Sequence, residues 1–257
     1  MGKILVLTSG KGGVGKTASV SNIAVALAEQ GKKVLMADFD LGLRNLDIAI
    51  GMSDIIVYDI MDVLEGKCDF ERAVFKFENY GGLEFLPAAQ STDKEYLDSD
   101  EVKKLFELVR DNYDYILIDC PAGIDAGFKS AIAAADMGIV IATPELSSIR
   151  DADKVITLME MNDVPEIKLI INRVRPDLMR KGEMITVGEI TDMLNVPLIG
   201  IVVEDENVLK AQRNNTLAVK MHNSPAGDEF RNIAGRIEGK NIPITELKKR
   251  RFGIFRS

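Results

Sequence analysis

The sequence predicts an α/β fold, a doubly wound and mainly parallel sheet with helices on both faces, and three observations support this fold class. Short apolar runs alternate with amphipathic helical patterns along most of the chain. Several of these runs are apolar at every position, which is typical of strands covered on both faces. The 257 residues are 46% hydrophobic and 28% charged, enough for one large domain without a disulfide or structural metal. The alternation of strand and helix implies right-handed crossovers.

The predicted elements follow from these patterns in chain order. Strands are expected at residues 4–7, 34–37, 83–86, 115–118, 138–142, 168–171 and 198–202. Helices are expected at residues 17–30, 100–110, 147–161, 187–194, 205–213 and 226–237. Gly31 closes the first helix, and the fourth ends before Pro197, because glycine terminates helices and proline cannot continue them.

Charge and composition separate an acidic body from a basic tail. We expect one domain at residues 1–240 and a tail at 241–257. The whole chain has a net charge of −8; residues 243–257 have a charge of +4, so the rest of the chain has a charge of −12. The acidic body excludes a uniformly basic surface, and no sequence-specific nucleic-acid partner is expected. Cys68 and Cys120 have no nearby cysteine, so they are expected to be buried free thiols. No run is long enough for a signal peptide or a membrane span, which predicts a cytoplasmic protein.

A glycine-rich loop after the first strand matches the pattern G-x-x-x-x-G-K-[ST] through Gly10, Gly15, Lys16 and Thr17. In such a loop the backbone N–H groups surround phosphates, the lysine reaches the β- and γ-phosphates, and the hydroxyl joins a Mg²⁺ ion. The loop therefore predicts ATP and Mg²⁺ as cofactors. The predicted nucleotide-binding residues here are Gly10, Lys11, Gly12, Gly13, Val14, Gly15, Lys16, Thr17 and Ala18.

Aspartates follow two of the predicted strands. Asp38 and Asp40 come after the second strand, and Asp119 ends the apolar run of the fourth. Carboxylates at the C-terminal ends of strands beside a phosphate loop can bind metal-coordinated water or orient an attacking water. Thr17, Asp38 and Asp119 are the predicted metal residues, although helix capping would also explain Asp38 or Asp40.

Several segments together resemble the MinD/ParA family of ATPases with a deviant Walker A loop. They are K-G-G-V-G-K-T at 11–17, D-F-D-L-G-L-R-N-L-D at 38–47, Y-D-I-M-D-V-L-E-G at 58–66, L-P-A-A-Q at 86–90, D-C-P-A-G at 119–123 and the basic tail. The resemblance implies a homodimer on ATP binding, in which Lys11 reaches the phosphates of the other subunit and Lys16 those of its own.

The resemblance also implies roles for single residues. Asp40 would activate the attacking water, so the predicted catalytic residues are Lys11, Lys16 and Asp40. Asn172 and Arg173 would contact adenine, although an exposed loop pair is an equally good interpretation. Glu145 and residues 147–153 would contribute to dimer and partner contacts, and a capped, solvated helix start explains them equally well.

The tail has the pattern of a short basic amphipathic helix from residue 244 to 255. At 100° per residue its apolar side chains fall within one arc, a pattern typical of helices that bind membrane surfaces. The predicted membrane-binding residues are Ile244, Leu247, Lys248, Lys249, Arg250, Arg251, Phe252, Ile254 and Phe255. A disordered tail, or a helix docked on the acidic body, is the alternative.

The resemblance further implies a membrane-associated ATPase that places the division site. Its expected partners are a second copy of the chain, an anionic membrane surface, a division inhibitor and a protein that stimulates hydrolysis; its expected location is the inner face of the cell membrane. Two alternatives stay open. A ParA-type partitioning ATPase would bind DNA, and a metabolite-directed enzyme of this loop class would act without lipid.

Overall fold

The computed structural model describes residues 1–40, 46, 56–89, 98–124 and 126–247. These residues form one eight-stranded sheet. Its strands are β1 (Lys3–Thr8), β2 (Val34–Asp38), β3 (Phe75–Phe77), β4 (Leu83–Leu86), β5 (Tyr115–Asp119), β6 (Met137–Ala142), β7 (Ile167–Val174) and β8 (Leu198–Val203). The strand order is β3-β4-β2-β5-β1-β6-β7-β8, with only β3 antiparallel to its neighbour. The predicted fold class is confirmed.

Ten α-helices connect or follow the strands within the described residues. They are α1 (Lys16–Glu29), α2 (Ile60–Leu64), α3 (Phe70–Ala73), α4 (Ser99–Val109), α5 (Ala126–Ile132), α6 (Leu146–Met161), α7 (Pro176–Lys181), α8 (Val187–Leu194), α9 (Glu206–Arg213) and α10 (Pro225–Ile237). Helices α1 and α10 pack on one face of the sheet, and α4, α5, α6 and α8 pack on the other.

The strands and helices predicted for residues 1–240 all occur, with ends that shift by at most three residues. Strand β3 and the helices α2, α3, α5 and α7 were not predicted from the sequence. These helices have four to seven residues, fewer than two full turns, so they show almost no apolar periodicity. The three residues of β3 are held by antiparallel pairing with β4, which is a tertiary interaction.

The topology brings the site residues to one edge of the sheet. Strand β1 lies between β5 and β6, and the carboxyl ends of these parallel strands lie side by side. The loop that follows β1 therefore stands next to Asp119 at the end of β5, and Asp38 at the end of β2 is in register with Asp119. Ligands of doubly wound sheets bind at this edge.

The two cysteines differ in burial. Both are free thiols, but only Cys120 is fully buried, and Cys68 is half-buried. The expectation of two buried thiols is thus correct for Cys120 and wrong for Cys68. Burial raises the pKa of the Cys120 thiol to about 12, which keeps it protonated at neutral pH.

Candidate nucleotide-binding site

The loop between β1 and α1 presents an uncapped helix N-terminus. Gly15 occupies the N-cap position of α1 with φ of 95°, and no side chain caps the first turn. The first turn also contains no acidic residue. The N–H groups at the start of a helix need partners and carry the positive end of the helix dipole. An uncapped N-terminus beside a glycine-rich loop is therefore a site for an anion such as phosphate.

Two of the loop glycines are required by their neighbours. A Cβ on Gly15 would collide with the side chain of Asn172, and the backbone there is in the left-handed region that favours glycine. A Cβ on Gly10 would collide with the backbone of Asp151 in α6. The loop is thus held between β7 on one side and α6 on the other.

Lys16 and Asp119 form a buried ion pair at the centre of the site. Lys16 Nζ donates to Asp119 Oδ1 at 2.6 Å, and the two side chains are 8% and 0% exposed. Burial raises the pKa of Asp119, while the ammonium group of Lys16 opposes that rise. The second carboxylate oxygen of Asp119, Oδ2, is buried without a hydrogen-bond partner. Buried polar atoms are rarely left unpaired, so this oxygen indicates a place for a bound water or metal-coordinated group.

Asp38 and Asp40 take different positions although they are two residues apart. Asp38 is buried at the end of β2, where its carboxylate accepts from Asp40 N at 2.8 Å and from Leu46 N at 3.4 Å. Burial, together with the charge of Asp119, raises the pKa of Asp38 to about 7. Asp40 lies beyond the strand, is half-buried, and is turned back by the hydrogen bond to Asp38. The two residues therefore do not continue one extended strand.

The residues present fit a Mg²⁺ ion of the kind found in phosphate loops. Mg²⁺ in such sites keeps several waters and binds phosphate oxygens, so it needs few protein ligands. Thr17 is half-buried at the start of α1, and the unpaired Oδ2 of Asp119 and the buried Asp38 supply oxygen acceptors nearby. Among the described residues no cluster of three or more His, Cys, Asp or Glu side chains is arranged to hold a metal without nucleotide.

Lys11 and Lys16 bind different partners. Its Nζ lies 3.1 Å from Glu145 Oε2 and 3.4 Å from Ser147 Oγ, and its side chain is 44% exposed. Ser147 lies in the first turn of α6, so Lys11 links the loop to the start of that helix. Glu145 occupies the N-cap position without capping it, and the neighbouring Ser148 is buried and accepts from Thr143 N at 3.0 Å. The two loop lysines thus face different surroundings, one buried and one at the rim.

Asn172 and Arg173 lie at an irregularity in the pairing of β7 with β8. The register shifts between Ile171 and Val174, and Arg173 adopts φ of 55°. Asn172 is buried and its Nδ2 donates to Val14 O of the loop at 2.7 Å, whereas Arg173 is exposed. The alternative interpretation of the two residues, an exposed loop pair, is wrong for Asn172. A bulge of this kind re-aims side chains beside a site, which neither periodicity nor composition predicts.

A cleft of about 1680 Å³ opens beside the loop. Its lining starts at Gly15 and Ala18, passes Asn172 and Arg173, and reaches the end of β8 and helix α9. Residues after β7, including Arg175 and Arg180, and the segment 245–247 complete it. Arg175, Arg180 and the segment 245–247 were not predicted to lie at this site, because nothing in their local sequence pattern relates them to the loop. The cleft is large enough for a nucleoside attached to phosphates in the loop.

The start of the tail differs from the prediction. Residues 244–247 are not helical, so the expected helix does not begin at Ile244. Ile244 and Leu247 are partly buried against the core on the α8 face of the sheet. The other predicted membrane residues, Lys248, Lys249, Arg250, Arg251, Phe252, Ile254 and Phe255, lie outside the described residues. In the described part of the chain, no helix combines the length and apolar character needed to cross a bilayer.

A comparison with family models matches residues 2–169 to a family described as an AAA domain. This range includes the glycine-rich loop, Asp38, Asp40 and Asp119. The cleft residues from Asn172 onward lie outside it.

Comparisons with whole proteins extend over nearly the full chain. The septum site-determining protein MinD of Synechocystis is 45% identical over 248 residues, which cover 96% of this chain and 93% of that protein. A solved MinC:MinD cell division protein complex from Aquifex aeolicus contains a chain with a TM-score of 0.89 and 41% identity, covering 95% of this chain and 98% of that chain. MinD from Pyrococcus horikoshii, solved with Mg-ADP, has a TM-score of 0.83 and 30% identity over 93% of this chain and 96% of that chain.

Proposed function

This chain belongs to the family of septum site-determining MinD ATPases, and from that membership we propose that it is a nucleotide-driven switch whose ATP-bound dimer attaches to an anionic membrane surface. The chain is an ATPase with ATP and Mg²⁺ as cofactors, and it regulates division-site placement with a division inhibitor of the MinC kind as partner. Dimerisation, membrane attachment and the roles of single residues are the parts we propose.

The positions of the two lysines carry the proposal. Lys16 lies inside the loop against Asp119, whereas Lys11 is at the rim and is held by Glu145 and Ser147. An exposed ion pair is a weak interaction, about 0–1 kcal/mol, so Lys11 is easily released. A second copy that presents its bound phosphates to this rim would offer a more highly charged partner. Lys11 is then available to cross to the other subunit.

We assign a role in hydrolysis to each charged group of the site. Lys16 would transfer its hydrogen bonds from Asp119 to the phosphates, and Asp119 would then accept from metal-bound water through the oxygen that is now unpaired. Mg²⁺ supplies neutralisation of the developing phosphate charge when it is bound. Asp40, at the half-buried turn after β2, would orient the attacking water. The site needs little covalent chemistry from the protein, because phosphoryl transfer depends mostly on positioning and electrostatics.

The residues after 247 supply the membrane contact in this proposal. They include five cations and the apolar residues Phe252, Ile254 and Phe255. Each cation near an anionic surface contributes about 1 kcal/mol, and a single short segment with ordering costs binds weakly. Two tails joined by a dimer bind with a higher effective affinity without any new contact. ATP binding would therefore control attachment through the oligomeric state.

Co-sedimentation with anionic liposomes tests the proposal, with ATP, with ADP and without nucleotide. We expect the full chain to sediment with ATP alone, and a chain that ends at Leu247 to bind ATP but stay in the supernatant. Ending the chain at Leu247 leaves the docked Ile244 in place, which a deletion from residue 243 would not. A variant with Lys103→Ala and Lys104→Ala removes two exposed cations from α4 and is the matched control.

Other outcomes would contradict the proposal. Equal sedimentation with ADP and ATP would show that attachment does not depend on the nucleotide state. ATP-dependent binding to DNA of any sequence, without binding to lipid, would favour the partitioning function instead.

A further inference from the structure

The segment after α10 is held to the body by a buried ion pair. We call residues 240–247 the C-terminal strap. Glu229 and Arg236 of α10 form this pair at 2.7 Å, and their side chains are 3% and 9% exposed. Arg236 donates to the strap carbonyl groups of Ile242 at 3.0 Å and Pro243 at 2.6 Å, and Thr245 donates its hydroxyl hydrogen to Glu229. Hydrogen bonds to charged buried groups are the strong ones, so the path of the strap is well determined.

The strap passes around the edge of the sheet. Helix α10, from which it starts, packs on the α1 face, whereas Ile244 and Leu247 pack on the α8 face. Strand β8 lies between these faces as the edge strand, and Arg236 also donates to Ile199 O of β8 at 2.8 Å. The strap thus covers an edge that would otherwise expose backbone groups.

The end of the strap forms part of the cleft beside the phosphate loop. Thr245, Glu246 and Leu247 line the same cleft as Gly15 and Ala18. Ile244, one residue earlier, is docked on the core but does not line the cleft. Ile244 and Leu247 both pack against the core, but only Leu247 also lines the cleft.

We propose that the C-terminal strap is a wall of the nucleoside subsite, so that bound nucleoside stabilises the docked strap through Leu247 and Thr245. The proposal rests on nucleotide binding as given under the proposed function. Phosphates at the N-terminus of α1 direct the attached nucleoside along Ala18 into the cleft. Leu247 lines this cleft, and an apolar side chain of this kind is suited to pack against the flat face of a base.

Docking of the strap determines where the membrane-binding part of the tail begins. Since binding linkage is reciprocal, a nucleoside that prefers the docked strap is itself bound more tightly when the strap is docked. The strap then keeps Ile244 and Leu247 on the body in the ADP state and in the ATP state. The membrane-binding segment starts after Leu247, and the two apolar residues assigned to it from the sequence contact the protein instead.

A single tryptophan provides the first test, because the chain has none. In the full chain, Leu247→Trp places the only indole on the cleft wall, and Leu108→Trp on the exposed surface of α4 is the control. We expect ADP to change the tryptophan emission at position 247 in a saturable manner, with the same dissociation constant that calorimetry measures. We expect no change in the emission at position 108. Inorganic tripolyphosphate fills only the loop, so it is expected to leave the emission at 247 unchanged.

The affinity of two matched variants provides the second test. Leu247→Ala is expected to weaken ADP binding about fivefold, the loss of a small apolar contact, and to leave tripolyphosphate binding unchanged. Ile244→Ala truncates an apolar side chain of the strap that does not line the cleft. It is expected to leave ADP affinity unchanged, because the hydrogen bonds from Arg236 to Ile242 O and Pro243 O keep the strap docked. This comparison does not depend on lipid or on dimerisation.

The outcomes separate the strap from the nucleotide site itself. Suppose that calorimetry shows ADP binding, but that ADP does not change the emission at position 247 and that Leu247→Ala weakens ADP binding no more than Ile244→Ala does. The inference about the strap is then overturned, while nucleotide binding stands. Equal changes with ADP and tripolyphosphate would overturn it as well, because the signal would then come from the loop. If ADP does not bind to the unmodified chain at all, the proposed function fails and the strap loses its ligand with it.

Discussion

Replacing Asp38 by asparagine is expected to stabilise the nucleotide-free protein at high pH. Asp38 is buried, and its pKa is raised from 3.8 to about 7, first by desolvation and then by the charge of Asp119. A carboxyl group whose pKa is higher in the folded state binds a proton more tightly there, so stability falls as pH rises from about 4 to about 7. Asparagine has nearly the same shape, keeps an oxygen that accepts from Asp40 N, and carries no charge.

The size of the effect follows from the pKa difference. At about 1.4 kcal/mol per pKa unit, ionisation destabilises the folded state by about 2 kcal/mol at pH 5 and about 4 kcal/mol at pH 8, as upper limits. The free energy of unfolding of the wild type should therefore fall by about 2–3 kcal/mol relative to that of Asp38→Asn between these two pH values. Contributions from the other titrating groups cancel in this difference when they do not contact Asp38.

Urea unfolding at pH 5 and pH 8, with a chelator and without nucleotide, measures the difference. Asp100→Asn removes one exposed carboxylate from the first turn of α4 and serves as the matched control. The measured quantity is the free energy of unfolding of Asp38→Asn minus that of the wild type. If this difference is no larger at pH 8 than at pH 5, Asp38 is not desolvated as its burial indicates. The result would also remove the reason to regard it as a preformed site for a cation.

Four further substitutions test the site. Lys11→Ala should abolish ATP-dependent dimerisation, measured by light scattering. It should change the free energy of unfolding by no more than about 0.5 kcal/mol, as should the control Lys154→Ala on α6, because both substitutions remove exposed, weakly paired cations. A Lys11→Ala protein that still dimerises with ATP would refute the crossing lysine. Lys16→Ala should in contrast destabilise the protein by about 3–5 kcal/mol in urea unfolding, since it leaves Asp119 buried and unpaired. Asp40→Ala should bind ATP, form the dimer and release no phosphate, and normal turnover would exclude its role. Asn172→Ala should weaken ADP binding about tenfold by calorimetry, because Val14 O loses its donor, and an unchanged affinity would show that the loop holds itself.

The elements that the sequence predicts best are the long ones. Helix α6 has sixteen residues and repeats its apolar positions several times, and the inner strands are apolar at almost every position. Strand β3 and the helices of four to seven residues have too few positions for a period to show. Their presence depends on what packs against them, as the pairing of Phe75–Phe77 with β4 illustrates.

The glycine-rich loop and its place between β1 and α1 could be predicted because its sequence pattern is local. Gly15, Lys16 and Thr17 act through a backbone that they themselves shape, and the string of residues contains nearly all the information. Asn172 is different, because its amide contacts Val14 from 158 residues away. No local pattern distinguishes an exposed loop pair from a buried anchor of the loop.

The sequence by itself determined the fold class, the phosphate loop, the acidic residues beside it and the charge of the tail, because each is encoded in neighbouring residues. Only the tertiary structure decided that Lys16 is buried against Asp119 while Lys11 is held at the rim. It also decided that Ile244 and Leu247 belong to a strap on the body and not to a helix. The physical reason is that burial and pairing depend on which distant segments meet, and a helical wheel drawn on one segment contains no information about what else can cover its apolar side chains.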